Sequence, residues 1–115
     1  GEICAGHVAA FGVDVTCTYT RGYPATINSP DQSAFASQVA EEVCGAALLE
    51  TDRTREMGAE DFSYLLEKRP GCYLFLGQGE GAAWHNAAFD FNDEVSPVGA
   101  SFFARLVERA QPLEQ

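Results

Sequence analysis

The sequence predicts an α/β fold. Three observations carry this expectation. Residues 13–20 alternate strictly between apolar and polar side chains, residues 72–76 form a continuous apolar run, and helical patterns lie between and around them. Period two reads as strand, spacing of three and four as helix, and their alternation along one chain as α/β.

The first element is a helix over residues 1–11, with Ile3, Val8 and Phe11 loosely helix-spaced and Gly12 at the position that favours a left-handed terminator. A helix at the first residue leads us to expect chain before it. Residues 13–20 follow as the clearest strand. Val13, Val15, Cys17 and Tyr19 fall on one face, and Asp14, Thr16, Thr18 and Thr20 on the other. One face packed and one face wet is an antiparallel pattern. Gly22 and Pro24 then interrupt regular structure, so residues 21–28 read as a crossing loop.

Ser29-Pro30-Asp31-Gln32 is a helix start, with a capping serine, a proline in the first turn and an acid suited to the helix dipole. The helix runs to about Cys44 and stops at Gly45, with Phe35, Val39 and Val43 as its apolar stripe. Ala46–Leu49 reads as a short strand, and residues 50–56 as a charged loop. A second helix starts near Glu60 and Asp61, buries Phe62, Leu65 and Leu66, and ends at Lys68-Arg69-Pro70-Gly71.

The run Cys72-Tyr73-Leu74-Phe75-Leu76 has the length of a strand covered on both faces. Its contrast with residues 13–20 implies parts of two domains. Gly77-Gln78-Gly79-Glu80-Gly81 lacks the G-K-[ST] of a phosphate loop and reads as a loop at the carboxyl end of a central strand. Ser96 and Pro97 open the last helix. Val98, Phe102, Phe103, Leu106, Val107 and Ala110 form its apolar face, which should pack on a sheet, and Pro112–Gln115 is a tail.

Composition narrows the function. With 17 acidic and 7 basic residues the net charge is −10. That charge repels phosphate backbones and anionic membrane surfaces, so neither nucleic acid nor a membrane is an expected partner. The 4 cysteines, Cys4, Cys17, Cys44 and Cys72, form no C-x-x-C pair. They read as free buried thiols in a reducing, cytoplasmic setting. No apolar run approaches transmembrane length.

Chemistry concentrates in Trp84-His85-Asn86-Ala87-Ala88-Phe89-Asp90-Phe91. This stretch holds one of 2 histidines and the only tryptophan. An imidazole in a loop is a candidate metal ligand or acid–base group, and a hydrogen-bonded structural ring is the simpler alternative. His7 falls within the first helix and reads as a surface or packing residue. Gly58-Ala59-Glu60-Asp61 precedes the second helix. Its acids either compensate the helix dipole or face a site, and Gly58 would allow a ligand close to the backbone.

Four stretches, in this order, are similar to the C-terminal portion of a known family: Arg21-Gly22-Tyr23-Pro24-Ala25-Thr26-Ile27-Asn28, Met57-Gly58-Ala59-Glu60-Asp61-Phe62-Ser63, Gly71-Cys72-Tyr73-Leu74-Phe75-Leu76-Gly77, and His85-Asn86 with Phe89-Asp90-Phe91-Asn92-Asp93-Glu94. The chain resembles the aminoacylase and carboxypeptidase family of two-metal peptidases, on the branch of hippurate hydrolases and N-acyl-amino-acid amidohydrolases. The resemblance covers nearly the whole chain, but only about the last third of a family member.

The resemblance implies that residues 1–20 end an α+β lid domain that usually makes a dimer. Residues 21–28 would then cross back, and residues 29–115 would complete an α/β catalytic domain. It further implies that His85 is a metal ligand and that Gly58, Ala59, Glu60 and Asp61 lie beside the site, with Asn86 next to the ligand. The cofactor would be two divalent cations, zinc or manganese, and the substrate a small N-acyl amino acid or peptide. The other ligands and the glutamate base would come from the N-terminal part of such an enzyme, so this chain alone would have an incomplete site. A leucine usually precedes the histidine of the motif; here it is Trp84. Asn86, Asp90 or a backbone carbonyl could hold the second nitrogen of His85. The open edge of the residues 13–20 strand also predicts self-association.

Overall fold

A computed structural model describes residues 1–112 of the chain, and all regular structure among them is helical. Four helices are formed: α1 (Glu2–Phe11), α2 (Pro30–Cys44), α3 (Phe62–Leu66) and α4 (Ser96–Ala110). Short 3-10 turns at Ala46–Leu48 and Asp93–Val95 follow α2 and precede α4. The tail expected at Pro112–Gln115 lies, from residue 113 onward, outside the described residues.

The expected strands are absent among the described residues. Residues 13–20 and 72–76 carry no ladder, and Ala46–Leu48 is a 3-10 turn where a strand was expected. The α/β expectation is therefore corrected to an all-helical arrangement among the described residues. The physical reason is the reach of the hydrogen bonds. A helix closes its bonds within itself, whereas a strand needs a neighbour, and neither run has one here.

The helix boundaries follow from local chemistry. α1 ends at Gly12, whose φ of 63° is left-handed and whose N–H donates to Val8 O. α2 begins on Pro30 and ends where Gly45 N donates to Glu41 O. Ser29 does not cap it as expected. Its side chain instead accepts from Gly71 N at 3.2 Å, and its own N–H donates to Gly71 O at 2.9 Å. Ser96 does not cap α4 either; it lies inside the helix, and Asn92 Oδ1 accepts from Glu94 N at 3.0 Å to start the preceding turn. α3 is shorter than expected, ending before Lys68, and Leu65 is exposed.

The core lies where α2 meets α4. Val39 is 0% exposed, and Ala36 and Phe102 are 7% exposed, with Phe35, Ala40, Cys72 and Leu106 against them. Of the expected stripe on α2, Val39 is buried, and Phe35 and Val43 are half-buried. α4, however, packs on α2 and not on a sheet. Glu42 closes the edge of this contact by accepting from Arg105 Nε at 2.6 Å and from Arg109. Gly99 lets Leu76 approach α4, since a Cβ there would lie 3.3 Å from Leu76 Cδ2. The thiols are not buried as expected: Cys17 is exposed, and Cys4, Cys44 and Cys72 are half-buried.

The molecule is long, at 74 × 40 × 21 Å, with a radius of gyration of 21.2 Å. A compact chain of this length would have a radius of about 13 Å. Its accessible surface is 10078 Å², against roughly 6,100 Å² for a compact protein of this mass. Ile3 and Phe11 of α1 and Phe103 and Val107 of α4 are among the apolar side chains left in solvent.

Phe102→Ala should cost about 3–5 kcal/mol in denaturant unfolding followed by helical circular dichroism. Phe103, one position on and 67% exposed, should change stability by less than about 0.5 kcal/mol when replaced by alanine. Equal effects would mean that the α2–α4 core is not as described.

Candidate functional site

His85 sits in the first of two consecutive turns. Asn86 N donates to Ala83 O at 3.1 Å, and Phe89 N donates to Asn86 O at 3.0 Å. His85 has a φ of 63°, the only positive value at a non-glycine among the described residues. A left-handed residue at the third turn position is what a type II turn requires, and glycine or asparagine usually supplies it. Histidine is among the residues that tolerate the region, at a strain of about 1–3 kcal/mol.

Side chains around the turn hold it in place. Asn86 Oδ1 accepts from Ala88 N at 2.9 Å, closing an Asx turn. Trp84 stacks on Phe75, with centroids 5.3 Å apart and planes 17° from parallel. The guanidinium of Arg53 lies 4.7 Å from the centre of the same Phe75 ring. The His85 ring itself is exposed and makes no side-chain hydrogen bond among the described residues. Asn86, considered as its partner, has committed its oxygen to Ala88. His7, by contrast, has a local role: Nδ1 meets Ile3 O at 2.9 Å and the ring packs on Phe11.

Glu60 is the best-held member of the Gly58–Asp61 stretch. Its Oε1 accepts from Phe62 N at 3.1 Å, and its Oε2 accepts from the Tyr73 hydroxyl at 3.0 Å. Its carbonyl accepts from the fully buried Ser63 hydroxyl at 2.6 Å. The Phe62 amide first, then the Tyr73 and Asp61 side chains, hold the Glu60 carboxyl below its ordinary range. The same bond to Glu60 pushes the Tyr73 phenol above its ordinary value, with burial and the charges of Glu60 and Asp61 adding to it. Ala59 and Asp61 are exposed. A Cβ on Gly58 would meet nothing within 4 Å, so this chain's own packing does not require glycine there.

No hydrogen bond joins the Glu60 loop to the His85 turn among the described residues. The connection is aromatic. Tyr73 packs edge-on to Phe75 at 5.4 Å, and Phe75 carries Trp84. Tyr73 also meets Phe62 at 5.6 Å. Its backbone is gripped by Asn28, whose Nδ2 donates to Tyr73 O and whose Oδ1 accepts from Tyr73 N, each at 2.7 Å. Asn28 and Tyr73 lie within the matched stretches with no role evident from the sequence, and Arg53 lies in the stretch that reads as a charged loop. Nothing in residue type alone marks an asparagine as a partner for a backbone 45 residues away.

The glycine-rich loop borders an open cleft of about 540 Å³, lined by Gln78, Glu80, Asp90, Asn92, Asp93 and Glu94 among others. Gln78 fastens its far wall: Oε1 accepts from Asn92 N at 3.3 Å, and Gln78 O accepts from Asn92 Nδ2 at 3.2 Å. No three His, Cys, Asp or Glu side chains come together with metal-holding geometry among the described residues. His85 is an exposed imidazole apart from any such group.

Residues 3–109 match the family described as Peptidase family M20/M25/M40. The chain belongs to this family. Among the curated relatives of this M20/M25/M40 chain, the hippurate hydrolase of Campylobacter jejuni is 30% identical over 105 residues, covering 91% of this chain and 27% of the relative. The putative amidohydrolase YhaA of Bacillus subtilis is 31% identical over 107 residues, covering 89% and 26%. Thermostable carboxypeptidase 1 of Saccharolobus solfataricus is 33% identical over 89 residues, covering 73% and 22%. The chain thus spans about a quarter of the length of the curated relatives it matches. No solved structure matches it. No helix among the described residues is long and apolar enough to cross a membrane.

The strain at His85 can be measured. His85→Val places a β-branched residue where it is least tolerated, and should reduce hydrogen-exchange protection of the Asn86 amide roughly tenfold, or about 1.4 kcal/mol. His85→Asn and His85→Gly should preserve that protection. Equal protection in all three would show that the turn is not left-handed at His85.

Proposed function

We propose that this chain is the metal-ligand-bearing C-terminal part of an amidohydrolase that cleaves the amide bond of N-acyl amino acids or small peptides. The observation that carries the reading is His85: an exposed imidazole on a left-handed turn braced by the Trp84–Phe75 stack, within a chain of the M20/M25/M40 family. The names of the relatives, hippurate hydrolase, amidohydrolase and carboxypeptidase, support this class of bond.

In this reading His85 presents one neutral nitrogen to a divalent cation, a role suited to imidazole with zinc or manganese. Two such cations, when bound, supply a water of lowered pKa for attack on the amide carbonyl. The described residues contribute only one ligand, so the others and the base are assigned to sequence this chain does not contain. Gly58, Ala59, Glu60, Asp61 and Asn86 border the site. Glu60 is kept ionised there by Phe62 and Tyr73. The whole enzyme works as a homo-oligomer, without nucleic acid or membrane, in the cytoplasm.

A second reading has its own support. The surface of 10078 Å² exceeds the compact value by roughly 4,000 Å², which fits a piece that folds and associates without chemistry of its own.

The test uses hippurate and N-acetyl amino acids with added zinc or manganese. A hydrolase carrying this chain at the length of its relatives should cleave one of them. His85→Ala should lower kcat/KM by more than the about 10–100-fold typical of losing a residue behind a ligand. The 115-residue chain alone should bind zinc weakly and turn over neither substrate. Tight stoichiometric zinc binding with turnover by the chain alone, or full activity in His85→Ala, would overturn the proposal.

A further inference from the structure

Tyr73 is held through its backbone, its ring and its hydroxyl. Asn28 takes both its N–H and its carbonyl at 2.7 Å. Its ring meets Phe62 at 5.6 Å and Phe75 at 5.4 Å. Its hydroxyl ends on Glu60 Oε2 at 3.0 Å. A tyrosine needed only for packing could leave its hydroxyl in water; this one is directed at a carboxylate in the stretch that borders the proposed site. The other oxygen of that carboxylate is fixed by Phe62 N, so Glu60 is gripped from two sides and keeps lone pairs on both oxygens free for a third group.

We propose that Tyr73 is a positioning residue: with its backbone held by Asn28 and its ring packed on Phe62 and Phe75, its phenol sets the direction in which Glu60 presents its carboxylate at the border of the site. The proposal rests on the amidohydrolase reading for what Glu60 serves, but not for the geometry itself. Glu60 and Asp61 are the ionisable groups that bear on Tyr73; Tyr73 and Asp61 are those that bear on Glu60. A hydrogen bond donated to the charged carboxylate favours that form, so removing the phenol should raise the Glu60 titration. The remaining bond from Phe62 N should keep it below an unconstrained glutamate.

The experiment follows the Glu60 carboxyl carbon by NMR against pH in the 115-residue chain, in the wild type and in Tyr73→Phe. The midpoint should move upward in the variant. Glu60→Gln gives an independent arm that keeps the tyrosine. The Tyr73 phenol, followed by its ring-carbon shift, should titrate at lower pH there than in the wild type, with burial and the charge of Asp61 still holding it up. In the hydrolase carrying the chain, Tyr73→Phe should shift the acid limb of kcat/KM to higher pH. A Glu60 midpoint unmoved in Tyr73→Phe, or a Tyr73 phenol unmoved in Glu60→Gln, overturns the proposal, as does a loss of activity uniform across pH. Absence of any hydrolysis by the wild-type enzyme would instead sink the amidohydrolase reading, leaving the two titrations to decide the role of Tyr73.

Discussion

Two hydrogen bonds from one side chain organise the part of this chain that carries Glu60 and the His85 turn. The amide of Asn28 donates to the carbonyl of Tyr73 and accepts from its N–H, each at 2.7 Å. An amide side chain offers the same donor and acceptor as a backbone unit, so Asn28 does for residue 73 what one residue of a neighbouring strand would do. Ser29 adds a second pair to Gly71. Together they tie the start of α2 to the apolar run at residues 72–76. Everything proposed for the site depends on that run: Glu60 through the Tyr73 hydroxyl, and the His85 turn through Phe75 and Trp84.

The run's other side reaches the scaffold. Cys72 touches the core formed by Ala36, Val39 and Phe102, and Leu76 packs over Gly99 of α4. The α2–α4 pair thus supplies the packed base, and the aromatic series conveys its position to two loops that share no hydrogen bond among the described residues. Ser29 shows how a local preference yields to this arrangement. It has the residue type, the following proline and the acid of an N-cap, yet its hydroxyl serves Gly71. The long-range bond and the cap compete for one oxygen, and the backbone of residue 71 takes it.

What was legible in the sequence divides along the same physical line. α1, α2 and α4 were readable because their terminators and stripes are local: Gly12, Pro30, Gly45, and the run from Phe35 to Val43 all act within one or two turns. The strands at residues 13–20 and 72–76 were read from patterns that describe burial on a sheet, and a pattern cannot provide the partner that a ladder requires. The four matched stretches led to the family, now shown over residues 3–109. Residue type and position single out His85 and Glu60, and both fall within the matched stretches. The left-handed turn at His85 was not legible, because a histidine adopts it only when neighbours enforce it. The grip of Asn28 on Tyr73 was hidden for a similar reason: it joins residues whose separation in sequence carries no periodic signal.

The sole tryptophan allows the linkage from Asn28 to the His85 turn to be measured directly. Among the described residues, Asn28 reaches the Trp84 stack through Tyr73 and Phe75. Asn28→Ala should therefore shift Trp84 emission to the red, as the Phe75 stack loosens and the indole gains solvent, while the far-UV helical signal of α2 and α4 is retained. Trp84 emission unchanged in that variant, with helicity intact, would show that the turn is held independently of residue 28 and would contradict the arrangement described.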